Sequence, residues 1–125
     1  MKLRIRGNTV RLRLMQGEVN DLKDNGSVSE VVQFGTLPGD ALVYVLRSAP
    51  VDHVYTIFSG GRLEVQVPEE TVAQWAGSDE VSIEAVVSNG SKDGLSILIE
   101  KDFACLSDRP NEDDSDAFPN PNTYC

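Results

Sequence analysis

The chain has 125 residues and a formal net charge of −9, with 40% hydrophobic and 25% charged side chains. That length suits one domain with a sizeable core, and no run of about 18 apolar residues is present to span a bilayer as a helix. The negative total disfavours general nucleic-acid affinity, which needs a cationic surface. The start, Met1-Lys2-Leu3-Arg4-Ile5-Arg6, has no apolar run behind its basic residues and does not read as a signal peptide, so a cytoplasmic protein is expected.

Lys2 to Arg6 alternates basic and apolar residues, the period of a strand. Gly7-Asn8 is a turn signal, and Val10 to Leu14 resumes the alternation, so the two segments predict a hairpin. Gln16 to Lys23 carries Val19 and Leu22 at helical spacing and runs into Asn25-Gly26, a helix stop. Val28 to Phe34 predicts a strand, Leu37 to Asp40 a turn, and Ala41 to Arg47 another strand, giving a ββαββ unit.

Beyond Ala49-Pro50 the scheme repeats. Val54 to Phe58 and Arg62 to Val67 predict strands about the Ser59-Gly60-Gly61 turn. Pro68 suits the first turn of a helix, Glu69 and Glu70 favour its positive end, and Val72, Trp75 and Ala76 give it one apolar face before Gly77. Glu80 to Val87 and Leu95 to Phe103 predict the last two strands.

The two halves also echo each other in sequence. Arg11-Leu12-Arg13-Leu14, Glu18, Val19, Leu22 and Val28 have counterparts in Arg62-Leu63-Glu64-Val65, Glu69, Val72, Trp75 and Val81. The offset is 51 residues at the first match and 53 from Val19 onward. The expected fold is therefore α+β: an eight-stranded antiparallel barrel or strongly curled sheet from a tandem ββαββ duplication, with two short helices. A closed barrel would leave no exposed edge. Residues 1–105 form the single duplicated domain, with halves of about 1–50 and 51–105. Residues 106–125, acidic and rich in Pro and Asn, form either a solvated tail or a strap anchored by Phe118 and Tyr124.

Five of the eleven basic residues lie in the first thirteen positions. Alternation puts Lys2, Arg4 and Arg6 on one face of their strand, and Arg11 and Arg13 on one face of the next. In a hairpin all five share a side, opposite Leu3, Ile5, Val10, Leu12 and Leu14. Like charges packed so closely repel, and something anionic must offset them. The offset comes either from the protein's own acids on an exterior face or from a bound anion, for which phosphate fits the forked guanidinium. On the last strand Ser96, Leu98, Glu100 and Asp102 share one side, and Ser82 and Glu84 fall beside that row. Glu84, Glu100 and Asp102 make a candidate carboxylate cluster for a hard divalent cation, Mg²⁺ or Mn²⁺. Arg62, Glu64 and Gln66 form a further polar row.

His53 is the sole histidine and has no evident catalytic partner. Cys105 and Cys125 show no metal-ligand spacing, and in a reducing compartment they read as free thiols.

Lys2 to Asn8, Arg11 to Leu14, Glu100 to Leu106 and Asp116 to Pro121 resemble stretches of a family of small bacterial proteins of unknown function, which implies no activity. More distantly, the duplicated unit with its basic rows resembles the triphosphate tunnel, or CYTH-like, architecture. That resemblance implies a barrel that binds polyphosphate through inward Arg and Lys, with inward Glu holding a divalent metal. The Glu-x-Glu-x-Lys opening strand of that family is replaced here by Lys2-x-Arg4-x-Arg6. The leading functional expectation is binding of a phosphorylated or other anionic small molecule on the basic face. The alternatives are a metal-dependent phosphohydrolase using Glu84, Glu100 and Asp102, and a non-catalytic protein-interaction domain. Oligomeric state is not legible.

Overall fold

A computed structural model describes residues 1–103 and 116–119. The chain runs β1 (Lys2–Arg6), β2 (Thr9–Leu14), α1 (Gln16–Asn25), β3 (Ser27–Gln33), β4 (Ala41–Ala49), β5 (Tyr55–Ser59), β6 (Arg62–Pro68), α2 (Glu69–Ala76), β7 (Ser82–Val87) and β8 (Leu95–Lys101). The ββαββ order thus occurs twice. Lys2, Thr9 and Gln16 open β1, β2 and α1, and Tyr55, Arg62 and Glu69, each 53 positions later, open β5, β6 and α2. The same offset relates β4 to β8, whereas β3 and β7 are 55 positions apart, Ser29 opposite Val45 matching Glu84 opposite Leu98. The structural counterpart of Arg11 is Glu64, two residues on from the match expected in sequence.

The expected barrel is not formed. The strands make two separate four-stranded sheets, ordered β1-β2-β8-β7 and β3-β4-β6-β5. Each sheet takes one hairpin from each half. Neighbours in sequence pair antiparallel, but the central pairs, β2 with β8 and β4 with β6, are parallel. The sheets are mixed, and β1, β7, β3 and β5 remain as edges. The reason lies in what fills the interior. Leu12 and Leu14 of β2, Leu46 of β4, Val65 and Val67 of β6 and Ile99 of β8 pack with Val19, Leu22, Val72 and Trp75 of the helices, all at most 2% exposed. This apolar filling leaves no lumen, so the polyphosphate tunnel of the CYTH-like architecture is absent as well.

Local chemistry explains the elements. Gly7 and Gly60, at equivalent hairpin turns, have φ of 54° and 57°, a left-handed backbone that favours glycine. Gly61 is constrained twice over, by a φ of +73° and by the Ala41 carbonyl oxygen, 2.7 Å from where a Cβ would lie. In α2 the Trp75 indole Nε1 donates to the Val81 carbonyl at 3.1 Å, which ties the helix to the segment before β7. Lys101, on the inward side of β8, is also buried. Its ammonium donates to the Ser78 carbonyl at 2.8 Å, just past the C-terminal end of α2, where a cation is favoured. It lies over the rings of Trp75 and Phe118, and burial pulls its pKa below the ordinary lysine range.

Helix α1 lacks a side-chain cap of its own at Met15, and the cap comes from a distant part of the chain. The Asp116 carboxylate accepts from the Gly17 backbone N–H at 3.0 and 3.2 Å, and the Asp116 carbonyl accepts from Gln16 N–H at 2.9 Å. Glu18 accepts from Met15 N–H at 3.0 Å. Within the segment read as tail or strap, Phe118 forms a parallel bridge with Phe103, with the rings edge-on at 5.8 Å, and packs against the core. Tyr124, Cys105 and Cys125 lie outside the described residues.

Candidate anion site on the outer face of the first sheet

Burial alternates along β2: Val10, Leu12 and Leu14 face the core, so Arg11 and Arg13 face out. The register sets Lys2 opposite Arg13, Arg4 opposite Arg11, and Arg6 opposite Thr9. All five expected cations therefore share the outer face of the first sheet. They line an open surface, because the inward side is leucine, isoleucine and valine.

The chain's own acids serve these cations unequally. The Arg13 Nε donates to Glu100 Oε1 at 2.7 Å, and Arg11 Nε lies 3.6 Å from the same oxygen. Lys2 pairs with the buried Asp102 at 3.2 Å, an ion pair whose geometry is not that of a hydrogen bond. Arg4 and Arg6 make no ion pair or hydrogen bond with any described residue. They are exposed, and together with Arg11, Gly7 and Thr9 they line a cavity of about 420 Å³. Arg4 directly faces Arg11, an arrangement that costs free energy unless an anion lies between them. Self-neutralisation thus accounts for Lys2, Arg11 and Arg13 and, among the described residues, leaves Arg4 and Arg6 unserved.

The three expected metal ligands are not brought together. Glu100 is engaged by Arg13 and Arg11, Asp102 lies beside Lys2, and Glu84 stands on β7 opposite Leu98. Among the described residues no group of three His, Cys, Asp or Glu side chains is placed to hold a metal ion. His53 is an exposed residue whose ring lies 4.1 Å from that of Tyr55, tilted by 34°, and pairs with Asp52.

The second sheet carries the complementary arrangement. Glu64, 6% exposed, accepts from Gln66 at 2.6 Å, Arg62 at 2.9 Å and Arg47 at 3.2 Å. The Gln66 hydrogen bond, followed by those of Arg62 and Arg47, outweighs desolvation and lowers the Glu64 pKa to about 2. By the 53-residue offset Glu64 stands where Arg11 stands and Arg47 where Glu100 stands. The same cross-strand ion pair occurs in both sheets with its charges exchanged. Sequence matching at 51 residues hid this, because it aligned Arg62, and not Glu64, with Arg11. The counterparts of Lys2, Arg4 and Arg6 on the edge strand β5 are Tyr55, Ile57 and Ser59, so the second sheet has no such cationic row among the described residues.

Residues 1–122 match the model of a family described as a family of unknown function, DUF7009, and the chain belongs to that family. Set against curated proteins and against solved structures, it has no significant match to either. No helix among the described residues is long and apolar enough to cross a membrane.

Proposed function

We propose that this protein binds a phosphorylated or other anionic small molecule on the outer face of its first sheet, between Arg4, Arg6 and Arg11. One observation carries the proposal. In a chain with twenty Asp and Glu residues, Arg4 and Arg6 line a cavity and have no acidic partner among the described residues. Each guanidinium offers a planar fork that matches two oxygens of a phosphate or carboxylate. Thr9 adds a hydroxyl at the same rim. The chemistry supported is recognition: among the described residues no nucleophile and base are paired beside this cavity.

The test is a thermal-shift screen of nucleotides, sugar phosphates and polyphosphates at fixed ionic strength. Stabilisation by a subset of these anions is expected, and it should vanish in Arg4→Ala and Arg6→Ala. Equal stabilisation of the variants, or none of the wild type by any anion, contradicts the proposal.

A protein-interaction role has support of a different kind. The edge strand β5, Tyr55-Thr56-Ile57-Phe58-Ser59, has no charged residue, and Ile57 and Phe58 are 50% and 69% exposed. Such an edge is open to pairing with another strand. Sedimentation showing self-association that Phe58→Lys abolishes would favour this role.

A further inference from the structure

The cationic cavity does not end at Arg11. A second cavity of about 540 Å³ adjoins it on the same face and shares Thr9 as a wall; its other walls include Glu84, Val86, Ser96 and Leu98. The register shows how the two are joined. One row across β1, β2, β8 and β7 reads Arg4, Arg11, Leu98, Glu84, and the next reads Arg6, Thr9, Ser96, Val86. Positive charge therefore falls away along each row: three guanidinium groups and a hydroxyl at the β1–β2 side, then a hydroxyl and the side chains of Leu98 and Val86, with the Glu84 carboxylate at the end of the first row. Val86 is 69% exposed on its edge strand, and Leu98 points to the same outer face, away from the core that holds Ile97 and Ile99. Strands lie about 4.8 Å apart, so the rows span about 14 Å.

Resting on the anion site proposed above, we propose that its ligand is an amphiphile with a single anionic head: an organic phosphate whose head sits between Arg4, Arg6 and Arg11 and whose apolar body crosses Thr9 and Ser96 to lie on Leu98 and Val86. Glu84 closes the far end. A carboxylate there repels a second anionic group, so the face selects a molecule charged at one end only. The occupant is a single soluble molecule, because the anionic pocket and the apolar one lie side by side in one sheet face, within the reach of one chain.

The experiment compares methyl phosphate with decyl phosphate, the latter kept below its micelle concentration, by titration calorimetry of the full chain. Decyl phosphate is expected to bind at least about tenfold more tightly, since burying a few methylene groups suffices for that ratio. The ratio should fall to about threefold or less in Val86→Ser/Leu98→Ser. Arg4→Ala should weaken both ligands. A 1,10-decanediyl bisphosphate should bind more weakly than decyl phosphate, and Glu84→Gln should narrow that difference. Should the double variant fail to fold, backbone amide shifts of the wild type decide instead: Val86 and Leu98 should move with decyl phosphate and stay still with methyl phosphate. Equal affinity of the two phosphates, or a ratio that survives the double substitution, overturns the amphiphile assignment and leaves the anion site standing. No binding of either phosphate overturns the anion site itself. Binding to anionic phospholipid vesicles without binding to monomeric decyl phosphate assigns the face to a lipid surface and overturns the single-molecule ligand.

Discussion

At the scale of single residues, the two outer faces put the same side chains to different uses. Glu64 is a carboxylate held by three donors, and its depressed pKa links it to folding. A group with a lowered folded pKa contributes stability above its unfolded value, near 4.5, and loses that contribution as pH falls toward about 2. Glu64→Gln is therefore expected to cost about 1–3 kcal/mol at pH 7, as for a hydrogen bond to a charged group left unmade. It should also flatten the stability profile between pH 4.5 and 2, which chemical denaturation across that range would show. Arg4 behaves in the opposite sense. It faces Arg11 and has no acidic partner among the described residues, so Arg4→Ser should stabilise the ligand-free protein by some tenths of a kcal/mol while weakening anion binding. A variant that loses both stability and binding would show that Arg4 is a structural residue. Alternation alone revealed that the five cations share a face. It did not reveal which of them are neutralised, because Glu100 and Asp102 reach Arg13 and Lys2 through a pairing some 87 and 100 residues apart in sequence.

At the scale of elements, helices and hairpins were legible because their signals are local. Gly7-Asn8 and Ser59-Gly60-Gly61 mark turns, and Val19 with Leu22 and Val72 with Trp75 mark helix faces that are in fact buried. The capping of α1 was not legible. Nothing near Gln16 announces that Asp116, a hundred positions later, supplies the acceptor for Gly17 N–H. Replacing that cap should cost the usual price of an N-cap: Asp116→Ala is expected to destabilise by about 1 kcal/mol, measured by urea unfolding, and to raise amide exchange in the first turn of α1. Gly17→Ala sets two effects against each other: its Cβ would lie 2.9 Å from Asp116 Oδ2 and displace the carboxylate, while alanine gains up to about 1 kcal/mol of helix propensity over glycine, so it should cost less than Asp116→Ala. Unchanged stability in Asp116→Ala would mean that Asp116 only decorates the helix.

At the scale of the whole molecule, the repeated ββαββ order was visible and its assembly was not. Two ββαββ units are as compatible with one closed barrel as with two open sheets, and composition does not distinguish them. The deciding facts are non-local: the parallel pairing of Leu12 with Ile99 and of Leu46 with Val65, and a core in which Trp75 and Leu22 occupy the space a lumen would need. The consequence for function is direct. With the interior filled, a ligand site has only the surface to occupy, and there the cationic hairpin lines an open cavity. The four strand edges left among the described residues follow from the same arrangement. Three of them carry charge, on Lys2, Arg4 and Arg6 in β1, Glu30 in β3 and Glu84 in β7, a recognised protection against edge pairing. The uncharged edge β5 should accordingly be where association begins when the protein is concentrated.

The most direct test of the anion site is a backbone-amide titration of the isotope-labelled protein with methyl phosphate at constant ionic strength. Saturable shifts are predicted at Arg4, Arg6, Gly7, Thr9 and Arg11, with the Arg47–Glu64–Gln66 cluster of the second sheet unmoved. Shifts spread evenly over both sheets, or growing linearly without saturation, would contradict a defined site on this face.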